Sequence, residues 1–430
     1  MYTLKMKYGR GTVDVSIPKK NLLKVIESNS SKEKSKTQEE VIIDALANPI
    51  ASARLKQLVH QGEKVCVVIS DVTRLWQKMS MYLPYIVEEL NNGGVKDEDI
   101  LFISATGSHR EQTKEEHTLL LGEKLSERFE VINHNCHDEE NLTYLGKTRF
   151  GTPVMVNKKA LECDHIILTG AIVFHLLAGW GGGKKSVLPG ICSYESIMKN
   201  HALSLSPNAG EGSNPLVKSG YTENNPLHQD MLEATSFVKP TFMFNVIMDK
   251  EGRISHAVAG NYIKAHEAGC KIVDQIDGVA IEEKADLVIA TAGGYPKDIN
   301  LYQTCKTVIN AKEAVKKGGT MIILSQCTEG FGNDHVQEMI RNYDTVEERE
   351  TALREDYSIA KYIGYFMSEV AQEFLFILVG DMDQKLVEKA NMKVVSTIEK
   401  ALEIAYEEKG KDLKTYLMPY GANTLPKFLK

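Results

Sequence analysis

The sequence predicts an α/β protein of two doubly wound domains, and three observations carry that prediction. Short apolar runs alternate with amphipathic stretches along most of the chain. Polar clusters follow several of those runs, as expected where strands end at a ligand-binding edge. At 430 residues, the chain is longer than one hydrophobic core usually serves. The runs read as strands at Lys64–Ser70, Ile100–Ala105, Phe129–Asn133, Asp164–Gly170, Thr241–Met248, Asp286–Ala292, Gly319–Ser325, Phe374–Val379 and Met392–Val395. Helical periodicity separates them at Ser80–Asn92, Thr113–Leu121, Gln303–Val315 and His335–Arg341. Before these, a hairpin is expected with its turn at Tyr8–Thr12, then a surface loop over 28–40 and a helix from about 39 to 60. The expected division is 1–275 as an N-terminal α/β domain, 276–412 as a C-terminal α/β domain, and 413–430 as a tail packing back on the first.

Composition sets bounds on function. With 43% hydrophobic and 25% charged residues, the chain has an ordinary globular make-up. A net charge of -7 argues against a general nucleic-acid binder, which needs a basic surplus to meet phosphates. The seven cysteines form no C-x-x-C pair and are odd in number, which fits reduced thiols and a cytoplasmic location. Neither a signal-peptide core nor a membrane-length apolar run is present, so no membrane partner is expected.

The richest segment is His175-Leu-Leu-Ala-Gly-Trp-Gly-Gly-Gly-Lys-Lys185, following the strand that ends at Gly170. Glycines 181, 182 and 183 remove side chains from the turn, so backbone N–H groups could approach a phosphate, while Lys184 and Lys185 add charge. Gly179 is in register for a P-loop, but Lys184 stands where that motif needs its second glycine. Trp180 could wall a planar ligand or anchor the loop. Further clusters lie at other strand ends: Asp71-Val-Thr-Arg74, Thr106-Gly-Ser-His109-Arg and Gly293-Gly-Tyr-Pro-Lys-Asp298.

His109, His175 and His201 have no metal-ligand spacing, so each reads as a base, a ligand or a structural histidine. Arg74 could fork onto a carboxylate. Gln303 and Lys306, one helical turn apart beside Tyr302, suit an anionic, oxygen-rich substrate or an ordinary solvated face. His134, His137, Asp138 and Glu139 form either a turn or a supporting shell. The residues by themselves imply a site for a phosphorylated cofactor and a small anion at an interdomain cleft, with the reaction open.

Taken together, these motifs resemble the lactate racemase family over essentially the whole chain. The resemblance rests on Asp-x-Thr-Arg at 71–74, Ala-Thr-Gly-Ser-His-Arg at 105–110 and His-x-x-Ala-Gly-x-x-Gly-Gly-x-Lys at 175–185. Asn200-His201, the 293–303 segment, Glu329-Gly-Phe-Gly332 and Pro419-Tyr-Gly complete it. It implies a racemase or epimerase acting at C2 of a 2-hydroxyacid by hydride transfer to a nickel-pincer nucleotide, a pyridinium-3-thioamide-5-thiocarboxylic acid mononucleotide. By motif position Lys185 would carry that cofactor covalently, with Gly181, Gly182, Gly183, Lys184 and Asp71 around it, and His201 would ligate nickel. His109 and His175 would be the two general bases, and Arg74, Tyr302, Gln303 and Lys306 would bind substrate. Partners would be the small-molecule substrate and cofactor-synthesis enzymes, with the assembly state open between monomer and homo-oligomer.

The chain departs from the family pattern near the expected substrate. Leu75-Trp76-Gln77 replaces Pro-x-Pro, Glu111-Gln112-Thr113 replaces Pro-Met-Thr, and Ile363-Gly-Tyr-Phe-Met367 replaces a Gly-x-His-Lys pattern. The aromatic covering the site would then be Tyr365 or Phe366. Lactate, a larger hydroxyacid, a dicarboxylate and a sugar acid stay open as substrates. Two other readings compete: a zinc hydrolase or lyase built on His109, His175 and His201, and a non-catalytic nickel or nucleotide carrier.

Overall fold

A computed structural model describes residues 1–29 and 36–428. Residues 30–35, within the expected surface loop, lie outside the described residues. The chain forms two compact units, each assembled from separated segments. One, here the glycine-loop unit, comprises residues 36–203 and 221–274; the other, the C-terminal unit, comprises 1–29, 204–220 and 275–428.

In the glycine-loop unit a six-stranded sheet runs in the order Ile254–Gly260, Phe242–Met248, His165–Ala171, Val65–Ser70, Ile100–Ala105, Val131–Asn133. All neighbours pair in parallel except the edge strand 254–260, which is antiparallel. Strands such as Val65-Cys-Val-Val-Ile are apolar at every position because helices and loops cover both faces. Val65, Val67, Ile69, Phe102, Phe242 and Phe244 pack with Leu83, Ile86 and Leu90 of helix Met79–Asn92. Burial of each large side chain of this kind contributes roughly 1.5–3 kcal/mol relative to exposure. Successive strands 65–70, 100–105 and 131–133 step one way across the sheet, whereas 165–171, 242–248 and 254–260 step the other. The order therefore reverses between Val65–Ser70 and His165–Ala171, and doubly wound sheets bind ligands beyond the carboxyl ends of strands at such a reversal.

The C-terminal unit holds a second six-stranded, fully parallel sheet, ordered Lys393–Val395, Leu375–Val379, Val315–Leu324, Ala285–Thr291, Thr415–Met418, Leu22–Val25. Its core includes Leu287, Ile289, Ile322, Leu324, Ile377 and Leu417, together with Met6, Val15 and Ile17 from the hairpin Tyr2–Tyr8/Gly11–Ile17. The segment 204–220 belongs to this unit as well: Glu369 accepts from Ser213 N at 2.8 Å, and Arg354 donates to the carbonyls of Ser206 and Asn208.

Several boundaries differ from the sequence reading. The helix expected over 39–60 spans Gln38–Ala47 only, because Asn48 precedes Pro49 and a residue before proline is driven out of helical geometry. The strand read as Gly319–Ser325 begins at Val315, its start hidden by Lys316-Lys-Gly-Gly319. Residues 415–418 are no tail. They form a strand paired on both sides within the C-terminal unit, and residues 1–29 join that unit too. Among the described residues, no helix is long and apolar enough to cross a membrane. All seven cysteines are unpaired thiols.

Candidate active site

The site begins where two neighbouring strands stop. Ser70 pairs with Ala105, so the residues that follow them emerge side by side. Asp71 caps the short turn 72–77, its Oδ1 accepting from Thr73 N at 2.9 Å and from the Thr73 hydroxyl. A turn closed by His109 N donating to Thr106 O at 2.9 Å brings the His109 ring back, and its Nδ1–H donates to Asp71 Oδ2. Burial pushes the Asp71 carboxyl upward, but hydrogen bonds and charge from His109, with Thr73 and Arg74 added, outweigh it and hold the group below the ordinary carboxylate range. With Nδ1 committed, the His109 Nε2 lone pair is the one left to accept a proton. Arg74 donates from Nη1 to Thr73 Oγ1 at 2.8 Å. Of the divergent residues beyond it, Leu75 and Trp76 are 40% and 43% exposed, while Gln77 is buried.

The glycine loop leaves the neighbouring strand. His175 pairs with Gly179 in a tight hairpin, and its Nδ1 accepts from the N–H groups of Leu177 and Ala178, each at 3.2 Å. Burial first, then the charges of Lys185, His201, Arg74 and Lys184, push the His175 imidazole well below its ordinary value. The ring is thus neutral, with its proton on Nε2. The backbone passes through positive φ at Gly182 (73°) and Gly183 (52°), then makes a single turn over Gly183–Ser186. The N–H groups of Gly181 and Gly183, expected to face a phosphate, donate instead to Val173 O and to Asn245 Oδ1, both at 2.8 Å. The glycines serve close packing: a Cβ on Gly182 would lie 2.4 Å from Asn245 Oδ1, and one on Gly183 2.8 Å from the His266 ring.

The two lysines differ. Lys184 is buried and donates to Trp180 O at 3.3 Å, with burial pushing its amine down to about 8. Burial, then the charges of Lys184 and Arg74, push the Lys185 amine down to about 7. Among the described residues, no carboxylate pairs with either. His201 sits on helix Tyr194–Ala202 and donates from Nδ1 to Ile197 O at 2.9 Å, which leaves Nε2 as its open lone pair. Burial and the charge of Lys185 push it down to about 3, so it is a neutral imidazole, the form that ligates metals. Buried Trp180 Nε1, Asn200 Oδ1 and His228 Nδ1 have no hydrogen-bond partner among the described residues.

In the C-terminal unit, Tyr302, Gln303 and Lys306 lie in the first turns of helix Leu301–Lys312, where Asn300 caps Gln303 N and Lys306 Nζ donates to Gln303 Oε1 at 2.7 Å. Tyr365 and Phe366 do not fit the covering role. Both lie in the unit's interior on helix Ile359–Glu373, Tyr365 donating to Glu369 and Phe366 packing under Lys312. The zinc reading loses its ligand set, since no group of three or more His, Cys, Asp or Glu side chains among the described residues could hold a metal ion.

Motif reading missed Asn245, Asp230 and His266, which hold the loop and its surroundings from 30 or more positions along the chain. Asp230 left a trace: it falls on the apolar stripe Leu227, Met231, Ala234, Val238 of helix Pro226–Val238. His134 proves to be a brace, donating from Nε2 to Cys192 O at 2.9 Å while its carbonyl receives Thr106 Oγ1 at 2.5 Å.

Similarity to known proteins extends over most of the chain. Residues 8–212 match the lactate racemase N-terminal domain and residues 280–425 the lactate racemase C-terminal domain. Lactate racemase of Thermoanaerobacterium thermosaccharolyticum is 33% identical over 335 residues, 78% of this chain and 76% of its own. That of Lactiplantibacillus plantarum is 29% identical over 434 residues, 99% of this chain and 100% of its own. The structure of the T. thermosaccharolyticum lactate racemase apoprotein superposes with a TM-score of 0.90 at 29% identity, covering 99% of this chain and 100% of that one. A Thermotoga maritima protein shares the fold alone, with a TM-score of 0.62 at 18% identity over 93% of this chain and 100% of its own. The pairing of an Asp71-held His109 with the His175–Lys185 loop thus sits in a chain that belongs to the lactate racemase family, and the protein is an isomerase.

Proposed function

We propose that this racemase interconverts the enantiomers of a 2-hydroxyacid, lactate first among them, with a nickel-pincer nucleotide tethered to Lys185. The observation that carries the reading is the juxtaposition of Lys185 and His201. An amine with its pKa near 7 is substantially neutral at cytoplasmic pH and so is nucleophilic enough to bear a covalent tether. A histidine close enough to feel its charge keeps Nε2 open, and imidazole suits nickel beside sulfur and carbon donors. The partnerless Trp180 Nε1 and Asn200 Oδ1 fit a site built for a polar ligand. The chemistry that such a group supplies, when bound, is reversible hydride acceptance.

The chain's own residues supply the rest. Arg74 offers a guanidinium fork to the substrate carboxylate. His109 Nε2 takes the hydroxyl proton of one enantiomer, and Asp71 steadies the resulting imidazolium. His175 would serve the opposite face as the second base, which requires its proton to move from Nε2 to Nδ1 as Nδ1 releases the N–H groups of Leu177 and Ala178. For Tyr302, Gln303 and Lys306 a substrate-binding role is what the resemblance implies. Gly181, Gly182, Gly183 and Lys184 shape the seat of the nucleotide. A carboxylate clamp and proton acceptors favour turnover over a carrier role.

The test is intact mass and metal content of protein produced with the cofactor-synthesis enzymes, followed by chiral analysis of lactate and larger 2-hydroxyacids. A nucleotide-sized increment on Lys185, stoichiometric nickel and racemisation are expected. An unmodified mass in protein that racemises lactate would overturn the tether.

A further inference from the structure

We propose that Asp230 is a positioning residue for His201 and sets how firmly that imidazole holds nickel; this rests on the reading of His201 given above. Asp230 is fully buried on the apolar stripe of helix Pro226–Val238. Both of its oxygens accept hydrogen bonds, the pattern of an ionised carboxylate: Oδ1 from Thr148 Oγ1 at 2.5 Å, and Oδ2 from Thr152 Oγ1 at 2.7 Å and Asn200 Nδ2 at 2.8 Å. Three neutral donors satisfy it, and among the described residues no Lys, Arg or His forms an ion pair with it. A buried anion without a cation is costly to keep, so its retention in an otherwise apolar stripe calls for a reason.

Asn200 supplies the reason, because it immediately precedes His201. Its second amide hydrogen goes to Leu227 O at 3.1 Å, so both N–H bonds are committed to helix 226–238. That choice fixes the amide orientation and strands Asn200 Oδ1, which is buried without a partner. The last turn of helix Tyr194–Ala202 is thereby pinned one residue before the ligand, while the Nδ1–H bond to Ile197 O fixes the ring. Partners of this kind, lying behind a ligand, usually change metal affinity by about 10- to 100-fold.

The experiment uses holoenzyme carrying Asp230→Asn, Asn200→Ala or both, beside the parent protein, and follows nickel release to a chelator. Visible absorption of the metal centre and the intact mass are recorded in parallel. Both single variants are expected to keep the Lys185 increment yet release nickel about 10- to 100-fold faster, with a shifted absorption band. The double variant is expected to be no worse than the single ones, because one linkage is being broken twice. Parent-like release in the singles overturns the proposal; if Asp230→Asn does not fold, Asn200→Ala decides it alone. A parent protein without nickel would instead overturn the reading of His201.

Discussion

His109 donates from Nδ1 to the Asp71 carboxylate, and this single bond fixes which nitrogen of the ring can accept a proton. Replacing the acceptor by an amide that can donate would reverse that assignment. Asp71→Asn is therefore expected to lower kcat by about 10²- to 10⁴-fold while the holoenzyme keeps its cofactor, as measured by the rate of lactate racemisation.

The same carboxyl gives a stability signature. Its folded-state pKa lies below the ordinary 3.8, so its stabilising contribution is complete above that value and is lost as the pH falls through the lower one. The melting temperature of Asp71→Asn is expected to lie below that of the parent at pH 6, with the gap closing towards pH 2. A gap that widens in acid would contradict this.

Lys185 gives a pH dependence on the alkaline side. Apoprotein treated briefly with an amine acylating reagent is expected to be modified at Lys185 with a midpoint near pH 7, about three units below surface lysines. Peptide mapping across pH 5–10 would show it. For stability the slope with pH has the same sign as at Asp71, since both groups bind fewer protons folded than unfolded: the charged amine is disfavoured in the folded protein, so its penalty fades as pH rises from about 7 towards 10.5. Lys185→Met apoprotein is expected to melt a few degrees higher than the parent at pH 6, and equally at pH 10.

His175 holds its own hairpin as well as a proton. Glutamine can present an oxygen to the N–H groups of Leu177 and Ala178 but cannot act as a base. His175→Gln is expected to keep the parent's thermal stability and cofactor loading and to lose at least 10²-fold in racemisation. His175→Ala would lose both activity and stability. Similar melting of the two variants would argue against the structural half of this role.

Gly183 combines positive φ with a neighbour that cannot give way. A methyl there meets the His266 ring, which is itself fixed by its bond to Gly181 O at 2.8 Å. Gly183→Ala is expected to cost about 1–3 kcal/mol in denaturant unfolding and to reduce cofactor loading.

The legible parts of the fold were those with local causes. Val65–Ser70 and Ile100–Ala105 announce themselves as continuous apolar runs because both faces of their sheet are covered. The edge strand Ile254–Gly260 went unread: its middle positions Ser255, His256 and Ala257 are only half-buried, which dilutes the apolar signal. The hairpin formed by Leu142–Lys147 and Pro153–Asn157 has the same mixed exposure. At the site, Asp71, His109, His175 and Lys185 were visible because strand ends and glycines mark them. Asn245 and His266 act through tertiary contacts, for which sequence spacing carries no trace, and Asp230 shows only as a polar residue on the apolar stripe of its helix.

The strand Thr415–Met418 lies between Ala285–Thr291 and Leu22–Val25, so the first and last portions of the chain meet in one sheet. During synthesis the glycine-loop unit has all of its residues once position 274 has emerged. The other sheet must wait for nearly the whole chain, with Leu22–Val25 lacking its neighbour until the end. A ribosome stalled after residue 412 would leave two unpaired strand edges, a template for aggregation. The C-terminal sheet therefore closes long after the segment that bears the glycine loop has been made.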